Sequence, residues 1–249
     1  MKAMILAAGL GTRLRPLTDD RPKALVTVAG RTMLEIVLSR LRTFGVREVI
    51  VNVHHHADMV VDYLKANANF GMRIEVSREE ELLDTGGGLK HAAWFFLDSD
   101  ANLDNPFILH NVDILSTIDI GSMMRFHAEN AALATVAVQH RETSRYLLFD
   151  HQDLLCGRQA GRNNVQLGRP VAEPEALAYS CIQILSPRIF AKIKEEGAFP
   201  IFDAYLRLAA EGEKIVAFRA EGAYWRDLGR PENVTEAARD IESGKYPGI

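Results

Sequence analysis

Several features that mark whole protein classes are scarce in this sequence. Its 249 residues contain two cysteines, Cys156 and Cys181, with no Cys-x-x-Cys pair. That excludes a disulfide scaffold and a thiolate zinc ribbon, and it suits a reducing compartment. No apolar run reaches membrane-spanning length, and the apolar stretch in residues 1–9 is too short for a secretory signal. A cytoplasmic protein without a membrane partner is expected. A basic excess is also absent: 29 Lys and Arg face 33 Asp and Glu, a net charge of -4. This argues against a nucleic-acid partner. A polyanionic substrate would have to be held by a few local cations or by a metal, not by a global field. No internal repeat, low-complexity segment or linker divides the chain.

What is present is a regular alternation of short apolar runs and amphipathic ones. Hydrophobic residues make up 47% and charged residues 25%, ordinary for a globular chain long enough to bury its own core. Lys2–Leu6 reads as a buried strand. Residues 32–44 carry Met33, Leu34, Ile36, Val37, Leu38, Leu41 and Phe44 at helical spacing, with Gly45 as the stop. Strands are predicted at Glu48–Val53, 72–77, 106–110 and 133–139, and helices at 57–68, 88–96 and 118–130. Strands alternating with helices predict an α/β fold, a Rossmann-like, mainly parallel mixed sheet flanked by helices. Past about residue 140 the rhythm changes. Strands at 146–150, 154–157 and 178–185 follow one another, before helices at 187–195 and 200–211, strands at 214–219 and 224–227, and a last helix at Pro231–Glu242. We read a single domain over 1–249, with a nucleotide-binding half to about 140 and a sugar-binding half beyond it.

The first strand runs into Leu6-Ala7-Ala8-Gly9-Leu10-Gly11-Thr12-Arg13. Gly9 and Gly11 allow a ligand to approach the backbone, and successive amides in such a turn can cradle phosphate oxygens. Arg13 adds a charged fork, and Lys23 follows a short loop later. A bare Gly-x-Gly is more often only a tight turn. It is not a dinucleotide fingerprint, since no third glycine follows, and it is not a P-loop. A nicotinamide-dependent oxidoreductase is therefore the weaker reading.

The longer pattern Leu6-Ala7-Ala8-Gly9-x-Gly11-Thr12-Arg13-x-x-Pro16-Leu17-Thr18, followed by Arg21-Pro22-Lys23-Ala24-Leu25, resembles the signature of the sugar-1-phosphate nucleotidylyltransferases at about ten fixed positions. The resemblance implies the nucleotide-diphospho-sugar transferase fold. It also implies an activity: joining a nucleoside triphosphate to a sugar-1-phosphate with release of pyrophosphate. It places the loop around the triphosphate, Arg13 against the departing phosphates and Lys23 at the reacting centre. Thr85-Gly86-Gly87 would contact the nucleoside. Glu79 stands where relatives read the base; a carboxylate accepts from the N–H of uracil, thymine or guanine and cannot serve cytosine. A solvated acidic run, Glu79 to Glu81, is the alternative.

Asn111-Val112-Asp113 ends a strand, where open α/β sheets bind ligands. Relatives carry Asn-Gly-Asp, so Val112 is a departure. Asp227, in Trp225-Arg226-Asp227-Leu228-Gly229, resembles the second acidic motif. The resemblance makes Asp113 and Asp227 the ligands of one Mg²⁺ and puts Asn111 on the nucleotide. Read alone, the Asp227 segment is more simply the cap of the following helix.

On the sugar side, Tyr179-Ser180-Cys181 occupies the place of a segment that meets the sugar, with Cys181 where relatives have glycine. The usual Glu-Lys-Pro is missing; Arg169-Pro170 is the nearest stand-in for its phosphate-binding lysine. That absence, together with Thr-Gly-Gly-Gly, resembles the bacterial N-acetylmuramate-1-phosphate uridylyltransferase branch. UTP is therefore the favoured triphosphate. Guanylyl transfer to mannose-1-phosphate or thymidylyl transfer to glucose-1-phosphate is the alternative, and a non-catalytic sugar-nucleotide sensor is the rival of another class.

Overall fold

The computed structural model describes residues 1–97, 105–161 and 164–246. The chain forms two compact units, and neither is continuous in sequence. One comprises residues 1–82, 109–118 and 223–249, the other 83–108 and 119–222. The division therefore does not run at one point near residue 140, because the C-terminal segment returns to the first unit. There Trp225–Asp227 pairs antiparallel with Ile114–Ser116, setting Asp227 opposite Ile114.

In the first unit Lys2–Leu6, Glu48–Val53 and Arg73–Arg78 run parallel, with Leu6 beside Asn52 and Asn52 beside Ser77. Residues 109–111 flank the first strand on its other side, where Val112 N donates to Leu6 O at 3.1 Å. The carboxyl ends of these strands are level, so Asn52, near the end of its strand, and the loops that carry the glycine signature, Glu79 and Asp113 share one edge. The apolar run in each strand reflects burial on both faces: Met4, Ile5, Val49, Ile50 and Val51 are fully buried. Helix Met33–Thr43 begins where the Thr32 side chain accepts from Glu35 N at 3.1 Å. It buries Met33, Leu34, Ile36, Val37, Leu38 and Leu41, as its spacing predicts. It stops at Gly45, whose φ of +82° closes the last turn.

The second unit is mainly antiparallel. Asn164–Leu167, Leu155–Ala160, Arg145–Phe149 and Glu175–Leu185 are neighbours in that order. Ala134–Gln139 pairs with Glu175–Leu185, and Ile215–Arg219 lies parallel to Ala134–Gln139. Helix Ile201–Ala210 buries one apolar face, and the buried Phe96 and Phe107 stack with the half-buried Phe190. The sheet is thus mixed, with its parallel pairs mainly in the first unit. The strand Asn164–Leu167 falls outside the predicted elements. It is exposed along its whole length and carries no burial period to read. Among the described residues no helix is long and apolar enough to cross a membrane.

In strand Glu175–Leu185 the pairing with Ala134–Gln139 shifts between Tyr179 and Gln183. Cys181 sits in that shift with a φ of +59°. This left-handed conformation is what glycine tolerates and a side chain resists. Relieving it is worth about 1 kcal/mol. Cys181→Gly is expected to raise the melting temperature by roughly 2–4 °C for a chain of this size; a lower melting temperature in calorimetry would contradict the strain assignment. Val112, the other departure, has a negative φ and is buried, so the missing glycine distorts nothing there.

Candidate active site

The glycine loop is shaped around a lysine. Gly11 has a φ of +66°, and its carbonyl accepts from Thr18 Oγ1 at 2.8 Å and Leu14 N at 2.8 Å. A Cβ on Gly9 would lie 3.2 Å from Lys23 Nζ, and one on Gly11 would lie 3.3 Å from Lys23 Cβ. The two glycines thus leave the channel through which Lys23 passes beneath the loop. Extended backbone at Pro22 delivers Lys23 into a single tight turn, Lys23–Leu25. Its ammonium reaches Asp113 Oδ2 at 3.2 Å, with both side chains little more than a tenth exposed.

Asp113 is fixed from two sides. Its carbonyl accepts from Leu228 N at 2.8 Å, and Asp227 stands opposite the next residue. Asp227 Oδ1 accepts from Gly229 N at 2.7 Å, and Asp227 O accepts from Asn233 Nδ2 at 2.7 Å. A Cβ on Gly229 would come within 2.9 Å of Asp227 Oδ1 and 3.1 Å of Arg13 Nη2. Gly229 therefore lets the Arg13 guanidinium and the Asp227 carboxylate crowd against one stretch of backbone. The structure brings Arg13, Lys23, Asp113 and Asp227 into this one unit. Gly229 belongs with them, although in the sequence it stands out only as part of a motif.

Asp113 Oδ1 is buried without a hydrogen-bond partner. A carboxylate oxygen in that condition is costly unless a cation completes it. Among the described residues no three His, Cys, Asp or Glu side chains gather as a metal cage. Two carboxylates with substrate oxygens filling the remaining positions is, however, the usual mode for Mg²⁺. The residues fit that ion.

Beside the glycine loop stands a residue that the sequence does not announce. Asn52 Oδ1 accepts from Ala7 N at 2.7 Å, and Asn52 Nδ2 donates to Glu79 Oε1 at 2.7 Å. Asn52 is 3% exposed and Glu79 5%, while Glu80 and Glu81 are on the surface. The acidic run is therefore not one solvated face. Its first member turns inward, and His54 Nδ1 lies 2.9 Å from Glu79 O. Leu6, Ala7 and Ala8 are buried along the same loop, Thr12 opens the short turn after it, and the Asn111 carbonyl lies 2.7 Å from His110 Nδ1. Burial lowers His110 to about 4, with Arg40 adding to the shift, so this imidazole is neutral at physiological pH. An asparagine at the end of a β-branched strand is the available signal for Asn52.

In the second unit the open-loop reading of the glycines needs correcting, and Arg169 and Ser180 are engaged with neighbours of their own. Gly86 and Gly87 do not form an open loop; they lie within helix Asp84–His91. A Cβ on Gly86 would meet the Phe199 ring at 2.2 Å, and one on Gly87 would meet Gly197 O at 2.3 Å. Their N–H groups donate to Phe199 O at 2.9 and 3.3 Å, and Thr85 Oγ1 accepts from Ile201 N at 2.9 Å. Close packing of one segment on another explains these glycines, and their amides are already used. Arg169 is likewise committed: its guanidinium binds the buried Asp150 carboxylate and the carbonyls of Leu154, at 3.2 Å, and Leu155, at 3.3 Å. Although burial alone would raise it, Arg169 and backbone donors hold the Asp150 carboxyl below its ordinary range. Ser180 is fully buried with its hydroxyl 3.5 Å from Gln139 Oε1, so it does not present that hydroxyl to a sugar. Tyr179 is half-buried. Its phenol accepts from Gln183 Nε2 at 2.5 Å, and Tyr205 donates to Gln183 Oε1 at 2.5 Å, which fixes the ring.

One unit thus carries a glycine loop over Lys23, the Lys23–Asp113 ion pair, and Asp227 and Arg13 against Gly229. Comparison with known proteins gives the family. A model of the family described as Nucleotidyl transferase matches residues 2–244. The chain is 35% identical over 237 residues to an N-acetylmuramate alpha-1-phosphate uridylyltransferase of Caulobacter vibrioides, covering 92% of each. It is 30% identical to a mannose-1-phosphate guanyltransferase of Yarrowia lipolytica, over 94% of this chain but 62% of that one. Among solved structures, HddC from Yersinia pseudotuberculosis complexed with GMP-PN shares the fold with a TM-score of 0.75 at 23% identity, covering 96% and 99% of the two chains. A UDP-glucose pyrophosphorylase from Acinetobacter baumanii gives 0.79 at 18% identity, covering 98% and 95%. The chain belongs to the nucleotidyl transferase family, among relatives that are sugar-1-phosphate nucleotidyltransferases. That membership sets aside the oxidoreductase and sensor readings.

Proposed function

We propose that the protein transfers the nucleoside monophosphate of UTP to a sugar-1-phosphate, of which N-acetylmuramate-1-phosphate is the first candidate, and releases pyrophosphate. The observation that carries this is the ion pair of Lys23 with Asp113, whose second oxygen is buried and unpartnered. The likeness to the Caulobacter uridylyltransferase directs the choice of substrates.

The chemistry needs no protein nucleophile. The phosphate of a sugar-1-phosphate is largely dianionic at neutral pH, and its oxygen attacks the α-phosphorus directly. Catalysis then reduces to alignment and charge neutralisation. Lys23 steadies the attacking phosphate and the α-phosphate. Arg13 stabilises the pyrophosphate that leaves. Asp113 and Asp227 would hold Mg²⁺, which would supply neutralisation of phosphate charge. The backbone of Leu6 to Thr12 wraps the triphosphate, with Asn111 beside it. Asn52 orients Glu79, which accepts from the uracil N–H. Tyr179 faces the sugar. Both cysteines are free thiols, which suits a cytoplasmic enzyme supplying cell-wall synthesis.

Pyrophosphate release with Mg²⁺, for the common triphosphates against a panel of sugar phosphates, tests the reading. Release that requires both substrates is expected. Release from the triphosphate alone, or none with any pair, would refute it.

A further inference from the structure

We propose that Asp240, through its clamp on Arg226, is a positioning residue for Asp227 and so sets the affinity of the Mg²⁺ site. The proposal rests on the reading above, in which Asp227 is one of two carboxylates toward the metal, and adds what holds that carboxylate in place. All the groups concerned lie in the first unit.

Asp113 follows strand Phe107–Asn111, which belongs to the large sheet. Asp227 has no such support. Its strand, Trp225–Asp227, is three residues long and pairs with Ile114–Ser116 in a separate two-stranded sheet. A lone pair of strands is marginal by itself. Residues 228–230 then lead into helix Pro231–Glu242. Asp227 thus sits at a corner between a short strand and a helix, where a small rotation would redirect its carboxylate. Its bonds with Gly229 and Asn233 are local to this corner and turn with it. Leu228 N, on Asp113 O at 2.8 Å, ties the corner down at one point.

The angle of the corner is braced from the opposite face. Successive side chains of a strand point to opposite faces, so Arg226 leaves the side away from Asp227. Its Nη2 donates to Asp240 Oδ2 at 2.7 Å. Its Nε lies 3.1 Å from the same oxygen and 3.0 Å from the Tyr224 hydroxyl, and its Nη1 donates to Glu236. Glu236 and Asp240 are one helical turn apart, so a single planar guanidinium ties the strand to the helix at two points. Tyr224 also donates to Asp240 Oδ2, at 2.7 Å, and Lys245 lies 3.3 Å from Oδ1. Tyr224 first, then Arg226 and Lys245, hold the Asp240 carboxyl down at about 2, so the clamp is ionic throughout the physiological range.

Stability alone does not call for a carboxylate here. Asp240 shares the buried face of its helix with Val234 and Ala237. A buried ion pair is often no more stabilising than an apolar pair of similar volume. What the charged pair supplies is direction: it sets the angle between strand and helix, which an apolar contact would leave loose.

The test is Mn²⁺ binding to the full-length protein without substrates, followed by the electron paramagnetic resonance of the free ion, together with the Mg²⁺ dependence of turnover. Asp240→Asn is expected to weaken Mn²⁺ binding by about tenfold, the scale of losing a residue that orients a metal ligand. Half-saturating Mg²⁺ should rise to match, with kcat at saturating Mg²⁺ within about twofold of the unaltered enzyme. Asp240→Glu should fall between. In an Asp227→Asn background Asp240→Asn should add nothing, because it acts through Asp227. The control is Arg207→Gln, which breaks ion pairs with Glu195 and Glu211 in the second unit. It should lower the melting temperature and leave Mn²⁺ binding as it was. The proposal is overturned if Asp240→Asn binds Mn²⁺ as the unaltered protein does, if it weakens binding equally in both backgrounds, or if Arg207→Gln weakens binding as much. If Asp240→Asn does not fold, Arg226→Lys, whose ammonium cannot span both acids, decides by the same outcomes. Unchanged Mn²⁺ binding in Asp227→Asn, or none in the unaltered protein, would remove the metal reading and this proposal with it. A sensitive Asp227 beside an indifferent Asp240 would remove this proposal alone.

Discussion

Asp113→Asn is expected to reduce kcat by at least about a hundred- to a thousandfold, the scale of removing one preorganised charge contact at a reacting centre. Two losses combine in this variant. The carboxylate whose Oδ1 is buried and unpartnered loses its charge, and Lys23 loses the anion 3.2 Å from its ammonium. Asp227→Asn should show a comparable loss through the metal alone, because its Oδ1 keeps the Gly229 N–H in either form. The two variants therefore differ in a readable way. Raising Mg²⁺ should recover part of the Asp227→Asn rate and little of the Asp113→Asn rate. Circular dichroism should show both folded. Near-normal turnover at limiting Mg²⁺ in either variant would remove that residue from the site.

Lys23→Ala is expected to lose roughly 3–4 kcal/mol of transition-state stabilisation, a few hundredfold in kcat, with a smaller change in KM for UTP. The motive is placement: Gly9 and Gly11 are open because this side chain runs beneath them, and its end is held at Asp113. Exogenous alkylamine should restore part of the rate if a missing ammonium is the defect. A variant whose KM for UTP rises tenfold with kcat unchanged would make Lys23 a binding residue and refute its role at the reacting centre.

Much of the fold is legible in the sequence, for identifiable reasons. Glu48–Val53 and Pro231–Glu242 fall where patterning puts them, since a β-branched run and a helix opened by proline each leave a local signal. The contact of Lys23 with Asp113, 90 residues apart, follows from two motifs at fixed spacing and from no local rule. Relations that only packing decides leave no such trace. Gly86 and Gly87 read as a loop because glycine is a poor helix former, yet Phe199 and Gly197 press on them from 110 or more positions away. Arg169 reads as available because nothing near it in sequence names Asp150 as its partner. Ser180 and Asn52 are both polar residues in strands. One faces Gln139 in the interior and the other links Ala7 to Glu79, a difference set by which face of the strand each occupies. Cys181 is recognisable in the sequence as a departure from glycine, but its cost is visible only in its φ of +59°.

The central claim, uridylyl transfer to a sugar-1-phosphate, meets its most direct test in a competition experiment. Unaltered enzyme, Mg²⁺ and N-acetylmuramate-1-phosphate, or the best sugar phosphate found, would be given UTP, GTP, dTTP, CTP and ATP at equal concentration. The nucleotide sugars formed would then be separated and weighed by mass spectrometry. On the proposed reading the inward-facing Glu79, held by Asn52, is the acceptor for an imide N–H, and mismatching a buried hydrogen bond costs about 1–3 kcal/mol. The account predicts that the UDP-sugar exceeds the CDP- and ADP-sugars by more than about tenfold, with GTP and dTTP as the nearer competitors. A dominant CDP- or ADP-sugar, or no nucleotide sugar at all, would contradict it.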